Sequence, residues 1–306
     1  MSTATHVPTT HDLEGDDALG IVREAGLGRL LRDSYIRFRY ADGFSHSRAL
    51  AFQFTLTLVP SLIAIVGLAR AAGEPEFGEV VATTLRELAP GPAGDVLGST
   101  IEHGEEDASE TALALGSLAA LVAGATAMGQ IERGSNRIYG VERDRPALAK
   151  YSVATFLACS AGVATFAALV LVVAGAELGD AIAGVTGWRD SLDTAWEVGR
   201  WPLGALLIAT AVTLIFKVSP RRHQPSLSWL ALGAGLAVAL WIAFTGLLAT
   251  YLSVSKDFGE TYGPLAGLIG LLLWTLLTAL ALFGGLAVAA QLEAVRAGVK
   301  EPAHEP

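Results

Sequence analysis

Three groups of residues in this sequence have types and spacings that could do more than pack. Gln53, Thr57 and Ser61 stand four apart, so a helix presents them on one face. Pro60 sits beside that face and removes the hydrogen bond its nitrogen would give to the Leu56 carbonyl. Such a stripe reads either as the lining of a cavity or substrate path, or as interhelical packing with its hydroxyls turned onto their own backbone. Tyr262-Gly263-Pro264 opens a second face, which continues through Gly267, Gly270, Trp274 and Thr278. Gly263 and Gly267 have the spacing that lets helices approach closely, and Gly263-Pro264 offers a hinge as the alternative. The third group, Gln130 to Gly140, is dense in polar residues. Arg133, Asn136, Arg137 and Arg145 could hold anionic lipid head groups there, although a basic flank on a membrane helix would also place arginines at this point.

Familiar catalytic constellations are missing from the sequence. There is no G-x-x-x-x-G-K-[ST] phosphate loop and no G-x-S-x-G elbow. The six histidines (His6, His11, His46, His103, His223, His304) show no metal-ligand spacing, so no metal or other cofactor is expected. Cys159, the single cysteine, excludes an intramolecular disulfide and reads as a small packing residue. These features predict a protein that is not an enzyme.

The elements that must position these residues are apolar and long. The chain is 52% hydrophobic and 17% charged, and its charges avoid whole stretches. Ala49–Ala69, Thr111–Ile131, Tyr151–Ala176, Trp201–Phe216, Gln224–Ser255 and Thr261–Leu292 contain no Asp, Glu, Lys or Arg. A hydrocarbon layer demands roughly 20 such residues per helical span, and lipid leaves a backbone no option but the helix. The prediction is an all-α polytopic bundle over 48–295, with spans about 49–70, 111–131, 151–176, 200–217, 226–254 and 263–290. Arg200 and Lys217 extend the short fourth span by snorkelling.

Basic residues set the orientation. With a cytoplasmic N-terminus, 16 of the 21 fall inside and only Arg70, Arg86, Arg189, Arg200 and Lys256 fall outside. The outer segments carry 17 of the 30 acidic residues, so the net charge of −9 is concentrated there. This pattern supports six spans with both termini cytoplasmic, and it disfavours a nucleic-acid partner.

Outside the spans, residues 1–18 are polar and read as a disordered cytoplasmic leader with no signal-peptide core. Residues 19–47 mix Leu27, Leu30, Leu31 and Ile36 with Arg29, Arg32, Arg37 and Arg39. They predict an amphipathic helix on the inner leaflet, or else one packed on the loops. Between Glu74 and Glu110, Val80, Val81, Leu85 and Leu88 predict one short external helix. A second would carry Leu97 and Ile101, capped by Asp95. Residues 296–306 form a cytoplasmic tail. Tyr151, Trp201, Trp229, Tyr251 and Tyr262 mark span ends, whereas Trp241 and Trp274 lie well inside their spans. Gln130-Ile131-Glu132 and Gln291-Leu292-Glu293 echo each other at two inner helix ends.

Over residues 30–295 this pattern resembles the YihY/BrkB family of bacterial inner-membrane proteins, once labelled ribonuclease BN. The resemblance rests on Ala49 to Ser61, on Asn136-Arg137-Ile138-Tyr139-Gly140 with Arg145-Pro146, on Pro220 and Pro225, and on Tyr262-Gly263 leading to Leu272-Leu273-Trp274. It implies a cytoplasmic-membrane protein of about six helices, with proposed links to lipid or envelope traffic. Where members often carry a Gly-Ala-Glu-x-Asn-like stretch, this chain reads Gly284-Gly285-Leu286-Ala287-Val288. That departure speaks against a proton-coupled carboxylate at that point. The leading expectation is therefore a transporter or translocator of an amphiphilic, lipid-like envelope component, with anionic membrane lipids as partners. A non-transporting scaffold, with a homo-oligomer or envelope protein as partner, is the alternative. A membrane ribonuclease is disfavoured.

Overall fold

The computed structural model describes residues 4–10, 13, 15–71, 89–97, 110–173, 190–255, 257–299 and 301–303. Besides a short helix at 92–97, its α-helices are α1 (Gly15–Ala25), α2 (Leu27–Tyr40), α3 (Gly43–Ala71), α4 (Glu110–Ile138), α5 (Ala147–Val173), α6 (Asp190–Val218), α7 (Leu227–Val254), α8 (Asp257–Tyr262) and α9 (Ala266–Arg296). Six of them, α3 to α7 and α9, are long and apolar enough to cross a membrane. The fold is thus the all-α polytopic bundle that the charge-free stretches require. α3, α4 and α6 overrun their stretches at both ends, with polar turns that carry the helix into its caps and loops, whereas α7 lies within its stretch and α9 begins after Pro264.

Each span packs against the next in sequence, and α9 returns to α3, which closes a ring of six helices. The position of α9 is set by its partners. α1 and α2 cover its outer side, and 56% of its apolar window is buried against 17–29% in the other spans. Glycine makes the closest of these approaches. A Cβ on Gly233 of α7 would stand 2.7 Å from the Gly285 carbonyl oxygen of α9, and one on Gly285 would stand 2.9 Å from the Ala237 nitrogen. The two helices therefore touch backbone to backbone, where dispersion rather than the hydrophobic effect holds membrane helices together.

Inside this contact the interior tryptophans do more than fill space. Trp241 Nε1 donates to Thr278 Oγ1 and Trp274 Nε1 donates to Thr245 Oγ1, both at 3.2 Å. The pairs run in opposite directions between α7 and α9. Thr55 Oγ1 meets Thr275 Oγ1 at 3.0 Å and ties α3 to the same helix.

Several expectations need correction. The leader is not loose over residues 4–10: Ala4 bridges Ala303, Thr5 N donates to the Pro302 carbonyl and Val7 N donates to the Tyr139 carbonyl. Ala4 and Val7 are buried, so the few apolar residues of a polar segment suffice to anchor it. The amphipathic region is not one helix over 19–47. It breaks at Gly26 and at Asp42, whose φ values of 77° and 55° end α1 and α2. α2 turns Leu30, Ser34, Arg37 and Phe38 into the bundle and leaves Leu27, Leu31 and Tyr35 exposed. Outside the spans' other end, residues 92–97 form a short helix with Asp95 inside it rather than capping it. The helix expected around Val80–Leu88, and Ile101, lie outside the described residues. Trp229 is wholly buried, unlike Tyr151, Trp201, Tyr251 and Tyr262, which are exposed. Cys159 is also exposed, so it faces outward from the bundle rather than packing within it.

Candidate functional site

The ring encloses a chamber of about 420 Å³ to which all six spans contribute. Its walls are aliphatic for most of their area, from Leu58 and Ile65 through Ile131, Ile208 and Ile215 to Leu282. No titratable side chain lines it among the described residues. The polar exceptions are Thr57, Ser61, Thr165, Thr275 and Thr278, with the indoles of Trp241 and Trp274.

Most of those hydroxyls are already committed. Thr57 donates to the Gln53 carbonyl at 2.7 Å, Thr275 to the Leu271 carbonyl at 3.0 Å and Thr278 to the Trp274 carbonyl at 2.9 Å. Back-bonding of this kind hides the donor from the cavity. What remains is a mildly polar, mainly hydrocarbon surface that would leave water poorly bonded. Gly162 of α5 lines the chamber yet is exposed, and a Cβ added there would meet nothing within 4 Å.

The sequence candidates divide between places. Thr57, Ser61 and Trp274 reach the chamber. Gln53 and Pro60 are not part of its lining; Gln53 instead accepts a 3.1 Å hydrogen bond from Thr126 of α4, as a packing residue does. Tyr262 ends α8, and Gly263, with a φ of 50°, opens the single 3-10 turn that leads into α9. Gly267 backs onto the short 92–97 helix, with the Pro92 carbonyl oxygen 2.8 Å from where its Cβ would be. The small-residue face of the sixth span is therefore divided: its first turn serves packing at one end, and only Trp274 and Thr278 reach the chamber.

The end of the bundle that carries both termini is closed by a polar cap. Glu132 of α4 pairs with Arg145 at 3.1 Å, and its Oε1 accepts from the Arg145 nitrogen at 2.9 Å. The Arg145 guanidinium also donates to the carbonyls of Val218, Ser219 and Pro220, the unsatisfied end of α6. Asn136 joins Asp144 at 2.9 Å to the Arg221 nitrogen at 2.7 Å. Asn136 and Arg145 are thus spent inside the protein, whereas Arg133 keeps an exposed side chain beside Asp144. Arg137 is half-buried. Burial pushes the Asp144 carboxyl up, but hydrogen bonds from Asn136 and Lys150 outweigh it and hold the group below its ordinary value.

The repeated Gln-x-Glu has a structural counterpart. Glu132 pairs with Arg145 while Gln130 Nε2 lies 3.1 Å from His46 Nδ1. Glu293 pairs with Arg222 at 2.7 Å while Gln291 accepts from Arg37 Nε at 2.8 Å. At both helix ends the glutamate holds a loop arginine, while the glutamine meets α2 at Arg37 in one case and the first turn of α3 at His46 in the other. The sequence marks Gln291 and Glu293 only through that echo and does not mark Arg37 or Arg222 as their partners, because a lone Arg carries no sign that it will be buried.

A family model described as Virulence factor BrkB matches residues 34–306. Among curated proteins, the ribonuclease-like protein YfkH of Bacillus subtilis is 27% identical over 255 residues, covering 83% of this chain and 92% of its own. A UPF0761 membrane protein of Azoarcus sp. is 26% identical over 249 residues, covering 80% of this chain and 59% of its own length. No solved structure matches.

Proposed function

This chain belongs to the family of the virulence factor BrkB and is an integral membrane protein; from that premise we propose that it moves an amphiphilic, lipid-like component of the bacterial envelope across the cytoplasmic membrane. The observation that carries the proposal is the chamber, bounded by all six spans and lined mainly by hydrocarbon. Its volume lies within the range of about 300–1,000 Å³ found for small-molecule sites. A wall without charges, most of whose hydroxyls are bonded to their own backbone, suits an acyl chain and not a sugar, ion or nucleotide. The polar head of the same molecule stays outside the chamber.

Energetics favour passage over storage. Moving a chain out of water gains about 0.8 kcal/mol per CH₂, but a lipid tail arriving from the bilayer has already made that gain. Exchange between bilayer and chamber is then nearly balanced, as a path requires. Among the described residues no carboxylate lines the chamber to couple the movement to protons, so the flow follows the gradient of the substrate itself. The open wall at Gly162 is the lateral entrance. The basic residues at the terminal end orient that end to the cytoplasm. No chemical step is part of this function, and the ribonuclease-like label of the Bacillus relative does not extend to it.

Reconstitution into liposomes with a fluorescent phospholipid tests the reading through chemical quenching of the outer leaflet. Wild-type protein is expected to expose inner-leaflet lipid to the quencher, and Gly162→Trp to abolish that exposure while leaving thermal unfolding unchanged. No exchange above protein-free liposomes, with any envelope lipid tried, would defeat it and favour a non-transporting scaffold.

A further inference from the structure

Beneath residues 4–10 lies a buried group with more positive charge and more donors than its partners satisfy. Arg37 is fully buried. Its Nε donates to Gln291 Oε1 at 2.8 Å, and its Nη1 donates to the carbonyls of Thr5 at 2.8 Å and Ile138 at 3.1 Å. Arg222 donates to both Glu293 oxygens, at 2.7 and 3.0 Å, and to the Pro8 carbonyl at 3.1 Å. Its guanidinium lies over the Tyr139 ring at 4.6 Å. Among the described residues Glu293 is the one carboxylate bonded to either guanidinium, and it also accepts from the Thr10 hydroxyl at 2.7 Å.

Among the described residues, two guanidiniums against one carboxylate leave a buried excess of one positive charge. Arg37 Nη2, Gln291 Nε2 and Arg222 Nε are buried donors without partners among the described residues. Gln291 is fully buried and the Arg222 side chain is 5% exposed. An unpaired charge and three idle donors are costly in a dry interior, and a forked guanidinium bonds two oxygens of an oxyanion in parallel. The two carbonyls that the N-terminal segment lends, from Thr5 and Pro8, are neutral acceptors for donors that suit an anion.

We propose that Arg37, Arg222 and Gln291 form a phosphate-type oxyanion site, and that residues 4–10 act as a removable strap occupying it. The anion replaces the strap's carbonyls on the two arginines and takes the idle donors as well. Among the described residues, the strap's main-chain ties to the rest of the protein are the bridge at Ala4, the nitrogens of Thr5, Val7 and Thr10, and the Thr5 and Pro8 carbonyls on the two arginines. Of its side chains, Thr10 bonds Glu293 and His6 reaches the Gly140 carbonyl. A lipid phosphate and free phosphate share this chemistry. The inference stands on the cap alone and does not depend on the chamber.

Hydrogen exchange on the full chain in maltoside micelles, which contain no phosphate, tests it. The amides of Thr5 and Val7 are expected to be protected there and to lose protection when the anion binds. Loss with phosphatidylglycerol alone assigns a lipid head group, loss with inorganic phosphate assigns a site open to a soluble anion, and protection retained under both overturns the site. A second variant, Ala4→Cys with Ala303→Cys and Cys159→Ser, ties the strap across its bridge. In its oxidised form neither probe should change the exchange, and reduction should restore the response. Loss of protection with the bridge intact would overturn displacement of the strap.

Discussion

Arg222 and Glu293 show how much a single pair can decide at the polar end of this bundle. The carboxylate is fully buried and the guanidinium nearly so, with a separation of 2.7 Å. Replacing a buried pair by apolar residues can be neutral, but removing one partner strands the other charge and costs about 3–5 kcal/mol. Glu293→Gln is therefore expected to lower the thermal unfolding midpoint sharply, since it leaves Arg37 and Arg222 together without a carboxylate. A midpoint unchanged by that substitution would show that the two arginines find other partners. Arg37 already bears the cost of its place: burial, the dominant effect, lowers its pKa to about 10. Asp144 gives the pH dependence. Its folded pKa lies below the ordinary 3.8, so its contribution is complete above the unfolded value and is lost as pH falls through the folded one. Stability measured by acid titration should drop below about pH 4, and Asp144→Asn should flatten that drop. An identical acid profile in the variant would count against the Asn136–Asp144–Lys150 cluster. At this scale the sequence was half legible. The Gln-x-Glu echo stood out, but its partners come from Arg37, Arg145 and Arg222, and local spacing holds no information about them.

Among the elements, the α7–α9 contact is the one with least freedom. Gly233 and Gly285 bring two backbones together, and a side chain at either position must push a carbonyl away. Overpacking of this kind costs about 1–3 kcal/mol, so Gly285→Val should destabilise the protein by at least that amount. The neighbouring substitution Gly284→Ala should be nearly neutral, because a Cβ there meets only a Leu240 methyl at 3.5 Å. Equal effects of the two, read by thermal unfolding, would mean that the helices are not held by backbone contact. Displacement of the helices by Gly285→Val would also pull apart the Trp241–Thr278 and Trp274–Thr245 bonds, and with them one wall of the chamber. Sequence reading placed small residues at a helix interface but favoured Gly263 and Gly267. It passed over Gly285 because a glycine pair shows its meaning only when the facing helix is known. Hydropathy found every span, since a run without charges is a local property. It could not find the strap at residues 4–10, whose composition is polar and whose anchors at Tyr139, Glu293 and Pro302 are distant.

For the whole molecule, the six-helix count and the common end of the two termini agree with each other: residues 4–10 and 301–303 meet on one face of the bundle. Charge counting anticipated that agreement because an even number of crossings returns the chain to its starting side. The closed ring was not legible, as nothing in six apolar runs says whether the last returns to the first. Closure is what creates the chamber, and the chamber is what makes translocation of a lipid-like molecule the leading function. The central claim is that this space holds hydrocarbon from the membrane. Native mass spectrometry of the protein released from nanodiscs tests it most directly, by weighing what stays bound to wild-type chain and to Gly162→Trp. The account predicts a discrete lipid-sized adduct on the wild type that is absent from the variant, with both proteins folded. The same diffuse bulk lipid on both would contradict it.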